Sequence, residues 1–212
     1  CFEGDCRRYS MDCTGEEKRE QICREYDIKA IGCYKLFDGR TIESDARGNI
    51  ITDKYYLFQC IHRITHQEET IKCGEPTARH ICNLCGIMLP SEFNPFFEEN
   101  GGGGGAGGGS TASWHRSRRQ LHNAIMLFVT RYGTGLKPDS PIFKIKTRVE
   151  ENVTAPVETR DVLAVNTIIG KYKTTISQIL QDFAKTRMVR NFNFNALEQI
   201  LQEKDVDKNN FR

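Results

Sequence analysis

Apolar positions follow two rhythms along this chain. Tyr56, Phe58, Cys60, His62 and Ile64 fall on every second residue, the period of a strand with one face on a core. They predict a strand over Lys54 to Thr65, with a partner at Thr70 to Cys73 completing a hairpin. An earlier hairpin is expected from Tyr34 to Phe37, the turn Asp38-Gly39, and Arg40 to Glu43, because glycine accepts the positive φ of a two-residue turn. Beyond residue 113 the apolar residues recur at threes and fours. Leu121, Ile125, Phe128 and Tyr132 mark one stripe of a helix from Trp114 to Tyr132, and Ile176, Ile179, Leu180 and Phe183 mark another.

Start and stop signals set the remaining elements. Thr14 with Glu17 has the spacing of a capping box and opens a helix ending near Tyr26; Thr175 with Gln178 and Asn195 with Glu198 repeat the signature. Pro76 suits the first position of a short helix over Thr77 to Leu84, with Gly86 near its end. Asp161 to Ile169 reads as a helix stopped by Gly170, and Ile142 to Val149 reads as strand-like. Pro90 to Asn100 is irregular, with Phe93, Phe96 and Phe97 expected to cover the first core.

Composition divides this series in two. Gly101 to Ser113 reads GGGGGAGGGSTAS, a flexible linker by its content. A phosphate loop is excluded there, since no buried strand precedes it and no Lys-Ser/Thr follows. The expected fold is therefore α+β: a Cys-rich β-hairpin domain with short helices over 1–100, the linker over 101–113, and a mainly helical domain over 114–212. Charge follows the same division. The first 100 residues carry 13 basic and 18 acidic side chains (net −5), and the rest carry 17 and 10 (net +7). No apolar stretch approaches the roughly 20 residues of a membrane-spanning helix.

All nine cysteines precede the linker. Cys82-Asn-Leu-Cys85 followed by Gly86 is a spacing that lets two thiolates hold one ion, and Cys60 with Cys73 on adjacent strands supplies a second pair. The expected set is Cys60, Cys73, Cys82 and Cys85, with His62 and His80 as alternates, around a structural zinc ion. A disulfide framework is the rival, although nine thiols leave one over. An iron–sulfur cluster would show a denser cysteine run, and a thioredoxin-type pair would carry Trp or Pro inside the motif. The group from Cys1 to Cys33 is left unassigned.

Arg116, Arg118, Arg119, Lys171, Lys173, Lys185, Arg187 and Arg190 are candidates for phosphate contacts in the basic half. Two helices joined at Gly170 have the outline of a helix-turn-helix. No catalytic signature emerges. The functional expectation is a cytoplasmic binding or adaptor protein with a metal-stabilised module and a basic helical module that contacts nucleic acid or an acidic protein surface. Two alternatives stand beside it. One is a secreted, disulfide-held interaction protein, for which Asn152-Val153-Thr154 is a glycosylation acceptor. The other is a metal-dependent nuclease drawing on His115 or His122.

Overall fold

The computed structural model describes residues 10–37, 39–97 and 113–212. Cys1, Cys6, Asp38 and the predicted linker up to its last residue, Ser113, lie outside them. The architecture is mixed α+β. The chain divides into two compact units, Cys1–Asn94 with Thr134–Ser140, and Pro95–Gly133 with Pro141–Arg212.

In the first unit the elements are α1 (Glu16–Glu25), β1 (Tyr26–Lys35), β2 (Ile42–Glu43), β3 (Ile50–Ile51), β4 (Lys54–His62), β5 (Glu68–Cys73), α2 (Glu75–Cys85) and β6 (Glu92–Phe93). The main sheet has the order β5-β4-β1-β6. β4 pairs antiparallel with both β1 and β5, and β6 runs parallel to β1. The β4–β5 hairpin is the one expected from the alternation. The earlier hairpin does not form: β1 begins at Tyr26 and pairs with β4 from Tyr26↔His62 to Lys35↔Lys54, while Ile42–Glu43 pairs with Ile50–Ile51. The turn itself is made, with the Arg40 amide on the Phe37 carbonyl at 3.1 Å and Gly39 at φ 66°, but the segments on either side of it pair with other strands.

One sheet face presents Cys33, Tyr56, Phe58, Cys60, Ile71 and Cys73 to Ile22 of α1 and to Ala78, Ile81 and Cys82 of α2. α1 starts one residue later than the capping box implied. Gly15 is its N-cap, and the Thr14 hydroxyl instead accepts the Arg47 amide at 2.9 Å. α2 ends at Gly86 with φ 63°, the left-handed conformation that favours glycine, and the Ile87 amide returns to the Cys82 carbonyl at 3.0 Å. The outer edge of β5 is closed by Met11, whose amide reaches the Thr70 carbonyl, and by Asp45, which both donates to and accepts from the Lys72 backbone.

The second unit consists of α3 (Arg116–Tyr132), α4 (Pro141–Glu151), α5 (Thr159–Lys171), α6 (Ile176–Ala184) and α7 (Asn195–Gln202). α3 packs against all four others, which explains its unbroken buried run from Ala124 to Thr130. The strand-like stretch over Ile142 to Val149 is helix α4. Its buried residues Ile142, Phe143, Ile145, Lys146 and Val149 have helical spacing, so β-branched content misled where the period did not. Gly170 does not stop α5, which continues to Lys171. A Cβ at that glycine would lie 2.8 Å from Asn210 Nδ2, and its absence lets Asn210 dock on Asn166 through two 2.8 Å hydrogen bonds.

The capping box at Thr175 and Gln178 is present. The one at Asn195 is not: Phe194 is the N-cap, and the Asn195 amide donates to Asn193 Oδ1. Pro95 to Phe97 pair with Met188 to Arg190, and Phe96 is buried against Phe183. Phe96 therefore covers the helical core rather than the first one.

Candidate functional site

The start of α3 is held from three directions. The His115 amide donates to the Val153 carbonyl at 2.8 Å, His115 Nδ1 lies 2.9 Å from Ser117 Oγ, and that oxygen accepts the Val157 amide. The first turn then carries Arg116, Arg118 and Arg119 and no acidic residue. A helix N-terminus already bears partial positive charge, so three arginines there add to the field instead of balancing it.

The three separate by their angle around the helix. Arg118 is buried and donates to the carbonyls of Ala155, Arg148, Val149 and Pro156 at 2.8–3.2 Å. It closes the C-terminal end of α4, and its expected phosphate contact is corrected on that ground. Arg116 and Arg119, three residues apart on one face, are exposed. They border a cleft of about 340 Å³ together with Trp114, Gln120, Asn123 and the segment Asn191 to Asn193.

Gln120 fixes the far wall. Its amide nitrogen reaches Asn193 Oδ1 and Asn195 Oδ1 at 3.3 Å, and its oxygen accepts the Ala196 amide at 2.9 Å. Trp114 rests on His122, ring centres 4.9 Å apart, and His122 Nε2 contacts Glu150 at 3.0 Å. Phe192 lies near parallel to Phe194, with centres 6.5 Å apart. The cleft thus has two cations, two aromatic rings and several carboxamides. Sequence reasoning found its arginines and missed Trp114, Phe192 and the amides. The signal was there in Asn191-Phe192-Asn193-Phe194-Asn195, an alternation of amide and aromatic directly after Arg190.

The other five basic candidates do not line the cleft. Lys171, Lys173 and Arg187 are exposed elsewhere, Lys185 pairs with Asp182 at 2.7 Å, and Arg190 donates to the Phe96 carbonyl at 3.1 Å. α6, the recognition helix of the outlined helix-turn-helix, turns Ile176, Ile179 and Phe183 inward and packs on α3.

In the first unit the register decides which cysteines meet. Tyr56 lies opposite Cys73 and Glu69 opposite Cys60. Cys60 and Cys73 therefore share a face but stand four residues apart along it, about 13 Å at strand rise. Cys82 is buried under α2, while Cys85, one helical turn on, faces α1 and lies 2.7 Å from Cys23, sulfur to sulfur. His62 Nδ1 accepts the amides of Ile64 and Thr65 in the β4–β5 turn, and His80 Nδ1 accepts from Arg19 Nε at 2.7 Å. Among the described residues no three His, Cys, Asp or Glu side chains are grouped to hold a metal ion. As placed, the four predicted sulfurs and two histidines do not make the tetrahedral set that the spacing suggested.

Burial raises the buried thiols: Cys33 to about 11, Cys13 to about 12, Cys73 higher still, and Cys60 well above its ordinary value. Cys23 is pushed up to about 12, by burial first and then by the adjoining Cys85. No protein-family model, curated protein or solved structure matches the chain.

Proposed function

We propose that the helical unit is a nucleic-acid-binding module that captures single-stranded chains in the cleft between the start of α3 and Asn191–Asn193. The observation that carries this reading is the pairing of Arg116 and Arg119 with Trp114 and Phe192 around one opening. Arginines neutralise phosphates and release their counterions, while aromatic faces stack on bases, each stack contributing about 1–3 kcal/mol. The carboxamides of Asn123, Asn191 and Asn193 offer both donors and acceptors to a base edge. A cleft of about 340 Å³ suits one extruded nucleotide and is far too small for a duplex groove contact. The cationic face complements such a ligand, in line with the basic excess of this half of the sequence.

Trp114 is the only tryptophan, so its emission reports directly on the cleft. Titration with a short oligothymidylate is expected to quench it saturably, with weaker effects from the mononucleotide and from duplex. Arg116→Ala and Arg119→Ala should each flatten the dependence of log K on log salt by about 0.7. Phe192→Ala should weaken binding while leaving that slope intact. Unchanged Trp114 emission at an ionic strength of about 50 mM would refute the proposal.

A further inference from the structure

Among the described residues, the pair of thiols brought together by packing of the first unit is not the pair the sequence spacing favours. Cys85 belongs to the Cys82-Asn-Leu-Cys85 motif at the end of α2, yet its sulfur lies 2.7 Å from that of Cys23 on α1, 62 residues earlier. α1 and α2 pack side by side, and both sulfurs stand at the rim of the core, partly exposed, while Cys13, Cys33, Cys60, Cys73 and Cys82 are sealed within it. The separation exceeds the roughly 2.05 Å of a formed disulfide by less than an ångström.

We propose that Cys23 and Cys85 are a thiol-oxidation site, closing to a disulfide that ties α1 to α2 by exchange with a low-molecular-weight disulfide of the oxidised-glutathione class. The thiolate of one cysteine attacks a sulfur of the small disulfide, that S–S bond breaks, and one small thiol leaves from a mixed disulfide. The second cysteine gives its proton to solvent and attacks the protein sulfur of the mixed disulfide, releasing the second small thiol. Two protein thiols are oxidised and one small disulfide is reduced to two thiols, so the two electrons and two protons balance. Because the thiolate is the attacking species, the exchange is faster as pH rises. A reducing thiol in excess reverses it.

The site differs from a structural disulfide in its exposure. Thiols sealed in the core do not meet the small disulfide, which confines exchange to the rim. Cys82, three residues before Cys85 and buried, is the nearest competitor on the same helix. Its position beneath α2 keeps it from the small disulfide.

The test uses the full chain, purified under reduction and treated with oxidised glutathione at about pH 8. Remaining thiols are alkylated, and the protein is digested without reduction for mass spectrometry. The expected result is one cross-linked peptide joining Cys23 to Cys85, two thiols lost from the nine, and both recovered with dithiothreitol. Cys23→Ser and Cys85→Ser should each abolish that cross-link. The wild-type peptide map stands alone should either variant fail to fold. Three results would overturn the proposal: all nine thiols alkylated after treatment, a dominant cross-link between other cysteines, or stoichiometric zinc in the purified protein that blocks alkylation of Cys23 and Cys85 until it is chelated.

Discussion

Arg118 shows how little residue type alone says about role. It shares a first helical turn and a charge with Arg116 and Arg119, yet it is buried with four carbonyl partners while they are exposed. Replacing it with methionine would fill part of the space and leave those carbonyls without a donor. The expected cost is about 3 kcal/mol, read as a lower urea midpoint at unchanged slope. Arg119→Ala should stay within about 0.5 kcal/mol of the parent in the same melts, because it removes only an exposed side chain. The angular positions that separate these arginines are implicit in the sequence. Which face of α3 is covered at its first turn was not legible, because the carbonyls that bind Arg118 arrive from residues 148–156, a loop and helix end with no marking pattern.

At the scale of elements, those with a periodic stripe, a local start or stop signal, or an adjoining hairpin partner were readable. β4, β5, α2, α3 and α6 are of this kind. The misread elements each turned on a distant partner. Tyr34 to Phe37 had a strong turn signal, but β1 found a longer antiparallel partner in β4. Ile142 to Val149 looked strand-like by β-branching and became helical once its buried positions met α3 and α5. The candidate cleft was half legible for the same reason: its α3 wall is local, and its Asn191–Asn193 wall is brought there by Gln120.

α3 and α4 are further joined by Glu150, which contacts His122 at 3.0 Å and Lys146 at 2.6 Å. Burial pushes the Glu150 carboxyl up, but the His122 hydrogen bond and the Lys146 charge together outweigh it and hold the group below its ordinary value. A folded-state pKa below the unfolded one means that stability is present above the unfolded value and is lost as pH falls through the folded one. Urea melts at a series of acidic pH values should therefore show a steeper loss for the parent than for Glu150→Gln. Equal slopes would show that the carboxylate contributes nothing to the acid response. Because Trp114 rests on His122, the same variant should also shift the emission of Trp114.

On the scale of the whole molecule, cysteine content and charge differ between the two halves of the sequence, whereas the compact units divide the chain differently, with Thr134–Ser140 in the first and Pro95 onward in the second. Composition does not carry the finer assignment. Phe96, expected on the first core, is buried against Phe183 of the helical unit, and the contact between Cys23 and Cys85 depends on the packing of α1 on α2, which spacing cannot reveal. If Cys23 and Cys85 close, the loop they span limits the unfolded chain, and the chain-entropy model gives an upper gain of about 4 kcal/mol. Thermal melts of oxidised and reduced protein should separate in that direction, with the glutathione-treated Cys85→Ser protein melting like its reduced form.

The edges of the main sheet carry a different kind of consequence. β5 is closed along its side by Met11 and by the backbone and carboxylate of Asp45, whereas β1 meets β6 over only Cys33↔Glu92 and Tyr34↔Phe93. Apart from those two pairs, β1 presents its outer edge without a ladder partner among the described residues. Asp27 and Lys29, charges set along its first half, make that edge a poor template for a second chain. At its other end the short parallel pairing with β6 covers the same edge at Cys33 and Tyr34.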